Sequence, residues 1–345
     1  MCLIVCNNNF GFMKLKSIEL TNYRSINSVK ISLKRIYGSN TYCLFGINES
    51  GKSSFLTGLA QYDEKDINYP IDYFDDTQPV KLIFEYQLDK DDNFGLRNKL
   101  EKDFDFPKEV LRKISVANVG IEISYTPNEE SKRSLKEEIQ FKTSKFVGYK
   151  LEDSKLIKTD SDGEFFDMHE FMLNNLSDHF WAFSHKIVLW SAMDIYLIKD
   201  EIDLNEFMEN PTGISIPLTN AFALSGISEN EIENTISKLK DPASIRNLES
   251  LLSEEVTNHI LKVWRNHPIK VLFKINENKI TLLVEDDGVK HKSKLTHQRS
   301  DGFRQFISFL LSISAESNND ELTNTMMLLD EPETHLHPQA QIDLI

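Results

Sequence analysis

Gly46-Ile47-Asn48-Glu49-Ser50-Gly51-Lys52-Ser53 is the stretch on which the fold turns. A short apolar run, Tyr42-Cys43-Leu44-Phe45, leads into it, and helical spacing follows from about Lys52 to Ala60. That is the order of buried strand, glycine turn and helix that G-x-x-x-x-G-K-[ST] requires. Glycines let such a loop wrap so that backbone N–H groups face a phosphate chain, and the new helix adds the positive end of its dipole. Gly46, Asn48, Glu49, Ser50, Gly51, Ser53 and Ser54 are therefore candidate nucleotide-binding positions. Lys52 is expected to reach the β- and γ-phosphates, and the Ser53 hydroxyl to ligate Mg2+. The loop alone leaves kinases, GTPases and motor ATPases open.

A second element lies far downstream. Thr325-Met326-Met327-Leu328-Leu329 is an apolar run that ends in Asp330-Glu331-Pro332-Glu333, as a buried strand does when it delivers carboxylates to a site at its end. Asp330 is expected to hold the magnesium ion through its water shell, and Glu331 to orient and polarise the water that attacks the γ-phosphate. Lys52 and Asp330 are 278 positions apart. A compact kinase or GTPase has no room for that, so a head domain with a large insertion between its halves is expected.

A third element is Arg299-Ser300-Asp301-Gly302-Phe303-Arg304-Gln305, ahead of a helix with Phe306, Phe309, Leu310 and Ile313 as its apolar stripe. Ser300 followed by Gly302 at a helix start suits an anion, but an ordinary N-cap explains the same residues. Lying between a helical arm and the acidic strand, Arg299 to Gln305 resembles the signature motif of ABC-type ATPases. The resemblance implies that Ser300 and Gly302 contact the γ-phosphate held by an opposite subunit. Asp301 stands where glycine is usual, and Phe303-Arg304 follows Gly302. That form is similar to the OLD (overcoming lysogenisation defect) family and its SMC- and RecF-like relatives.

Two more stretches carry the resemblance. Leu20-Thr21-Asn22-Tyr23-Arg24-Ser25 is similar to the opening strand of those proteins, which implies that Asn22 and Arg24 lie near the nucleotide. Asp330 to Pro338 resembles their extended Walker B motif and D-loop, so His335 and His337 read as D-loop residues beside a dimer interface rather than as a metal pair. The resemblance covers both ends of the chain and hardly touches its middle. It implies a homo-oligomer, at least a dimer, with a Toprim or other nuclease domain or subunit associated, acting in anti-phage defence or nucleic-acid processing. A DNA-repair ATPase of RecF or SMC type, and a nucleotide-gated assembly scaffold, are the alternatives. The family continues to a switch histidine, whereas this sequence stops at Ile345, so a fragment is expected.

The remaining sequence fills in an α/β ABC-type P-loop NTPase head with an antiparallel β-lobe and a helical insertion, or dimerisation arm. Lys14 to Leu20 alternates polar and apolar residues, and Val29, Ile31 and Leu33 resume the period of two, as a strand pair would. Val80 to Tyr86 and Val119 to Tyr125 read as strands, Leu96 to Ile114 as helix, and 128–163 as polar hairpins or loops on a solvated edge. Residues 1–12 read as a frayed N-terminal extension, 13–195 as the first half of the head, 196–268 as the helical insertion, and 269–345 as the second half. Within the insertion, Leu248, Leu251, Leu252, Val256, Ile260 and Leu261 lie on one stripe, which either packs on its own domain or serves oligomerisation.

Composition sets the outer limits. Hydrophobic residues at 40% and charged residues at 27% over 345 residues fit a globular protein with a sizeable core. Cys2, Cys6 and Cys43 match no disulfide, zinc or redox pattern, so a reducing, cytoplasmic setting is expected. No apolar stretch approaches the roughly 20 residues that cross a bilayer. A formal net charge of −15 argues against a surface that is basic all over, so any contact with nucleic acid is expected to be local or through a partner.

Overall fold

The computed structural model describes residues 2–7, 13–34, 40–64, 67–127, 129–159, 163–263, 268–286, 292–317 and 324–332. The chain divides into two units, one holding Cys2–Leu189 with Thr323–Leu328, the other Trp190–Leu322 with Leu329–Ile345.

In the first unit, Cys2–Asn7 is a strand, β1, where a frayed extension was expected. Its apolar sequence, Cys2-Leu3-Ile4-Val5, suits a strand inside a sheet, and Ile4 is fully buried. β2 (Lys14–Tyr23) and β3 (Ile26–Ser32) form the antiparallel pair that the alternation implies. β4 (Thr41–Leu44) pairs antiparallel with β1, Ile4 opposite Tyr42. α1 (Lys52–Glu64) follows the phosphate-loop motif.

β5 (Val80–Gln87) comes next, then α2 (Lys90–Phe104), whose Asp89 and Asp92 make a reciprocal capping box. Asp105, at φ 53°, ends α2, so the helical stretch read over Leu96 to Ile114 is broken before the single turn α3 (Lys108–Leu111). β6 (Val116–Tyr125), β7 (Lys132–Leu135) and β8 (Gln140–Phe141) complete an antiparallel sheet of order β3-β2-β5-β6-β7, with β8 also on β6. Ile18, Phe84 and Ile121 stand in one cross-strand row and Leu20, Leu82 and Ile123 in another, all buried. Each such side chain contributes roughly 1.5–3 kcal/mol by leaving water. The opposite face carries charges, including Lys30 with Glu85 and Lys81 with Glu122.

α1 lies on the apolar face of this sheet, with Phe55, Leu56 and Leu59 buried. Gly58 is where the helix comes closest: a Cβ there would stand 2.6 Å from Leu20 Cδ2 and 2.9 Å from the Tyr23 ring. The polar segment beyond β8 forms short strands, β9 (Lys145–Val147), β10 (Tyr149–Glu152), β11 (Lys155–Lys158) and β12 (Phe165–Asp167), paired as β10–β11 and β9–β12. α4 (Met168–Asn175), α5 (Ser177–Ala182) and β13 (Lys186–Trp190) close the unit.

In the second unit, β14 (Glu201–Asp203) precedes α6 (Leu204–Glu209), α7 (Pro211–Ile214), α8 (Ile216–Leu224), α9 (Glu229–Ser237) and α10 (Pro242–Val263). β15 (Ile269–Asn276) and β16 (Lys279–Asp286) make a hairpin, with β14 and β17 (Lys294–Leu295) pairing β16. The segment 196–268 is thus not purely helical: its strand β14 belongs to the sheet of residues 269–295. Nor is α10 a free-standing arm. Leu248, Leu252, Val256 and Ile260 are buried, while Leu251 and Leu261 lie on its more exposed side.

The outer edge of β15 is closed by α10 side chains. Glu249 Oε1, Ser253 Oγ and Thr257 Oγ1 accept the backbone N–H groups of Ile275, Phe273 and Val271 at 2.7, 2.9 and 3.0 Å. Four helical residues advance about 6 Å and two strand residues about 6.6 Å, so the two periods keep step. An edge that would otherwise be open to another strand is covered.

α11 (Asp301–Ser317) packs against α8, where Asn220 Nδ2 donates to the carbonyls of Leu311 and Ser312. The stripe of Phe306, Phe309 and Leu310 is buried as expected, but so are Ile307 and Leu311, and α11 is buried on more sides than an amphipathic reading implies. Ser308 and Ser312 tolerate burial by donating to the carbonyls of Arg304 and Ser308. β18 (Thr325–Asp330) joins a four-stranded sheet of order β13-β18-β1-β4, with Met326 and Leu328 fully buried in the core of the first unit.

Candidate functional site

Between β4 and α1 the loop from Gly46 to Ser50 is exposed throughout. Glu49 at φ 64° and Gly51 at φ 86° bend the backbone into a concave turn, closed by Ser50 N donating to Ile47 O at 3.3 Å. Lys52 folds back into that turn: its Nζ donates to Gly46 O at 3.1 Å and Ile47 O at 3.0 Å. A Cβ on Gly46 would stand 2.5 Å from Ser50 Oγ, so the Ser50 hydroxyl would have to turn aside to admit one. The ammonium is held by neutral carbonyls inside a ring of backbone, beside the start of a 13-residue helix. This donor set of backbone N–H groups, an ammonium and the exposed Ser53 at the helix start fits a polyphosphate with its magnesium ion.

The β2–β3 turn lies against this loop. A Cβ on Gly51 would meet Ser25 Oγ at 3.2 Å. Arg24 exposes 44% of its side chain, donates from Nε to Asp72 Oδ1 at 2.7 Å and from Nη1 to Thr57 Oγ1 at 3.4 Å. Asn22, expected among the nucleotide-binding residues, is buried. Its Nδ2 donates to the carbonyls of Asp75 and Gln78, and its Oδ1 accepts Asp75 N at 2.7 Å. Its side chain shapes the 67–78 loop instead of reaching outward.

At the acidic strand end, Asp330 closes β18 half-buried, and Glu331 follows exposed, with a left-handed φ of 50°. Such a conformation is uncommon for glutamate and marks a backbone held by its surroundings. Pro332 is buried. Glu333 to Pro338, including His335 and His337, lie outside the described residues.

At the third element, Ser300 is exposed and its Oγ accepts the Phe303 N–H at 3.2 Å, so it acts as the N-cap of α11. Gly302, expected to present backbone to a phosphate, is buried. Arg299 pairs with Asp286 at 2.7 Å and lies 4.3 Å over the Phe303 ring, which leaves it structural. Arg304 Nε donates to Ile198 O at 2.9 Å. Just upstream, Asp200 accepts Thr296 Oγ1, His297 N and His297 Nδ1. Burial alone would raise the Asp200 carboxyl, but these hydrogen bonds hold it below its ordinary value.

The AAA ATPase domain family matches residues 13–345. The chain belongs to this family. It is an ATPase with the α/β P-loop fold, using ATP with Mg2+. Curated proteins yield no match. Among solved structures the chain is similar to the recombination mediator protein RecF with ATP, in the RecFOR pathway, at 12% identity over 97% of this chain and 89% of that one, TM-score 0.41. It is also similar to an SMC head bound to the C-winged helix domain of ScpA, at 13% identity over 88% of this chain and 76% of that one, TM-score 0.36. Those scores carry no conclusion about ligand or partner.

For this AAA ATPase domain the family match reaches the P-loop ATPase class, and the OLD assignment is finer than the match. No group of three or more His, Cys, Asp or Glu among the described residues could hold a further metal ion, and no described helix is long and apolar enough to cross a membrane. Sequence reading missed Asp72 and the 67–78 loop. Asp72 is buried at 2% exposure, beside Tyr69, Ile71 and Phe74, which are 46%, 79% and 51% exposed. A carboxylate inside a tyrosine- and phenylalanine-rich turn was the available signal.

Proposed function

We propose that this ATPase hydrolyses ATP with its own Lys52, Ser53, Asp330 and Glu331, and that a second copy completes the site through the exposed Ser300. The observation that carries the proposal is Lys52 folded onto the Gly46 and Ile47 carbonyls inside an exposed, glycine-lined loop. Lys52 exchanges those neutral acceptors for anionic phosphate oxygens, so that an ion–dipole contact becomes an ion pair. Gly51 and the loop N–H groups cradle the phosphates, while Ser53 and Asp330 hold Mg2+, which neutralises charge developing on the phosphoryl group. Glu331 accepts a hydrogen bond from the attacking water and aligns it.

Glu331→Gln tests the assignment of the base: ATP binding persists, dimers accumulate in size-exclusion chromatography, and turnover falls by about a hundredfold or more. Unchanged turnover removes Glu331 from the mechanism. Lys52→Ala loses nucleotide affinity, and normal affinity in that variant counts against the loop itself. An unaltered chain that binds ATP but never turns it over favours a nucleotide-gated scaffold.

The process served is read from the OLD resemblance of Arg299 to Gln305 and of Asp330 to Pro338: control of an associated Toprim-type nuclease, in anti-phage defence or nucleic-acid processing. A RecF- or SMC-like DNA-repair role is the second reading. Strong, structure-specific binding of this chain alone to DNA ends or gaps favours the second, and the net charge of −15 is the observation against it.

A further inference from the structure

Arg24 belongs to a turn with two non-glycine residues in the left-handed region, Asn22 at φ 63° and Arg24 at φ 49°. Conformations of that kind cost on the order of 1 kcal/mol each and persist where the surroundings over-determine them. Here the surroundings are the 67–78 loop. Arg24 N donates to Asp72 O at 2.9 Å, Phe74 N to Asn22 O at 3.2 Å, and Tyr23 bridges to Tyr73.

The manner in which Asp72 holds Arg24 is informative. Arginine and carboxylate frequently meet in a two-pronged pairing in which both oxygens contact the guanidinium. Asp72 instead gives Oδ1 to Arg24 Nε, while Oδ2 accepts Asn68 N at 2.9 Å. The guanidinium is therefore gripped at Nε, with the terminal nitrogen Nη1 directed away from that N–H. Nη1 reaches Thr57 Oγ1 at 3.4 Å, whose hydroxyl donates to Ser53 O at 2.9 Å within the first turns of α1. The half-exposed end of Arg24 thus stands beside the helix that begins at Lys52.

We infer that Asp72 is a positioning residue for nucleotide binding: its buried carboxylate aims the free end of the Arg24 guanidinium, Nη1 foremost, at an anionic oxygen of the nucleotide held by Gly46 to Ser53. The inference rests on the nucleotide-loop reading of Lys52. Asp72 touches no ligand itself and acts through Arg24.

The test measures ATP KM, kcat and thermal midpoint for Asp72→Asn, Arg24→Ala and the double variant, all in the full chain. Asp72→Asn is expected to raise the KM for ATP about tenfold, with a smaller change in kcat, as loss of one charge-assisted contact to bound substrate does. Arg24→Ala does the same, and Asp72→Asn adds nothing further in the Arg24→Ala background. A wild-type KM in Asp72→Asn, or an equal factor in both backgrounds, overturns the inference and leaves Asp72 a structural tie. If Asp72→Asn does not fold, Arg24→Lys decides, since it keeps the charge but loses Nε: a raised KM supports the inference and a wild-type KM overturns it. Failure of the unaltered chain to bind ATP overturns the nucleotide-loop reading, a result distinct from normal binding that Asp72→Asn leaves untouched.

Discussion

Gly58→Ala isolates the contact that sets α1, and with it the nucleotide loop, against the β-lobe. Two terms oppose one another. Alanine is better than glycine in a helix interior by about 1 kcal/mol, which favours the variant. Against this, the new methyl would lie 2.6 Å from Leu20 Cδ2 and 2.9 Å from Tyr23 Cδ1. Leu20 and Tyr23 are both fully buried, so neither has open space to move into. Overpacking of a filled core costs roughly 1–3 kcal/mol, and relief by lifting α1 would instead surrender burial of Phe55, Leu56 and Leu59. The expected net loss is about 1 kcal/mol, or a midpoint lower by about 2–4 °C.

Gly95→Ala in α2 provides the internal control. Nothing lies within 4 Å of a Cβ there. The same substitution should therefore stabilise by about 0.5–1 kcal/mol, because only the propensity and unfolded-chain terms remain. The assay is urea denaturation followed by tryptophan fluorescence. Trp181 stacks on Tyr62 of α1 with ring centroids 4.2 Å apart, so its emission follows the docking of that helix. Gly58→Ala at or above wild-type stability, while Gly95→Ala stabilises, would refute the close approach of α1 to β2. ATP KM should rise in Gly58→Ala alone, since Lys52 is the first residue of the displaced helix.

Thr257→Val keeps the shape of a buried side chain but removes the hydroxyl that bonds both Val271 N and Val271 O. With two strand-edge groups left unpaired, urea titration should find a loss of about 1–3 kcal/mol, and wild-type stability would mean that water replaces the hydroxyl. His185 is buried against Tyr86, and burial pushes its imidazole down to about 4. The unfolded chain, with an ordinary value near 6.5, takes up a proton that the folded chain refuses between those limits, so stability falls as pH drops from about 6.5 towards 4. The fall is about 3 kcal/mol for this group, and His179, also lowered to about 4 by burial, adds in the same direction. His185→Gln should flatten the slope over that window without abolishing it, and an unchanged slope would show that His185 is protonated in the folded state.

Local chemistry was legible and distant partnership was not. The loop at Lys52, the alternation over Lys14 to Leu20 and the strand ending at Asp330 are each decided by residues a few positions apart, which is the range over which periodicity and turn chemistry act. Cys2 to Val5 misled because so short an apolar run is equally a loose end or a strand, and only pairing with Thr41–Leu44 separates the two. Asn22 misled for a related reason. A resemblance assigns it to the nucleotide, but its hydrogen bonds go to Asp75 and Gln78, 53 and 56 residues away, and no local pattern announces them. The match of α10 to the edge of β15 was hidden in the same manner: Glu249, Ser253 and Thr257 look like the solvated face of a helix until a strand is set beside them.

These partnerships bear on the proposed function because the loop from Gly46 to Ser50 has little sequence of its own with which to hold its shape. Gly46 to Ser50 is exposed and contributes one internal backbone bond, Ser50 N to Ile47 O, so its geometry has to be imposed from its two ends. One end is β4, tied into a sheet by β1. The other is α1, seated on β2 through Gly58 and flanked at its first turn by Ser25 and Arg24. The left-handed turn that carries Arg24 is in turn tied to the 67–78 loop, through Asn22 to Asp75 and Gln78 and through Arg24 to Asp72. A perturbation of that loop should therefore alter ATP affinity before it alters the chemical step, because it moves the mould of the site and leaves Glu331 untouched. A perturbation of Glu331 should do the reverse. Measuring KM and kcat for one variant of each kind separates the shaping of the site from the use of it.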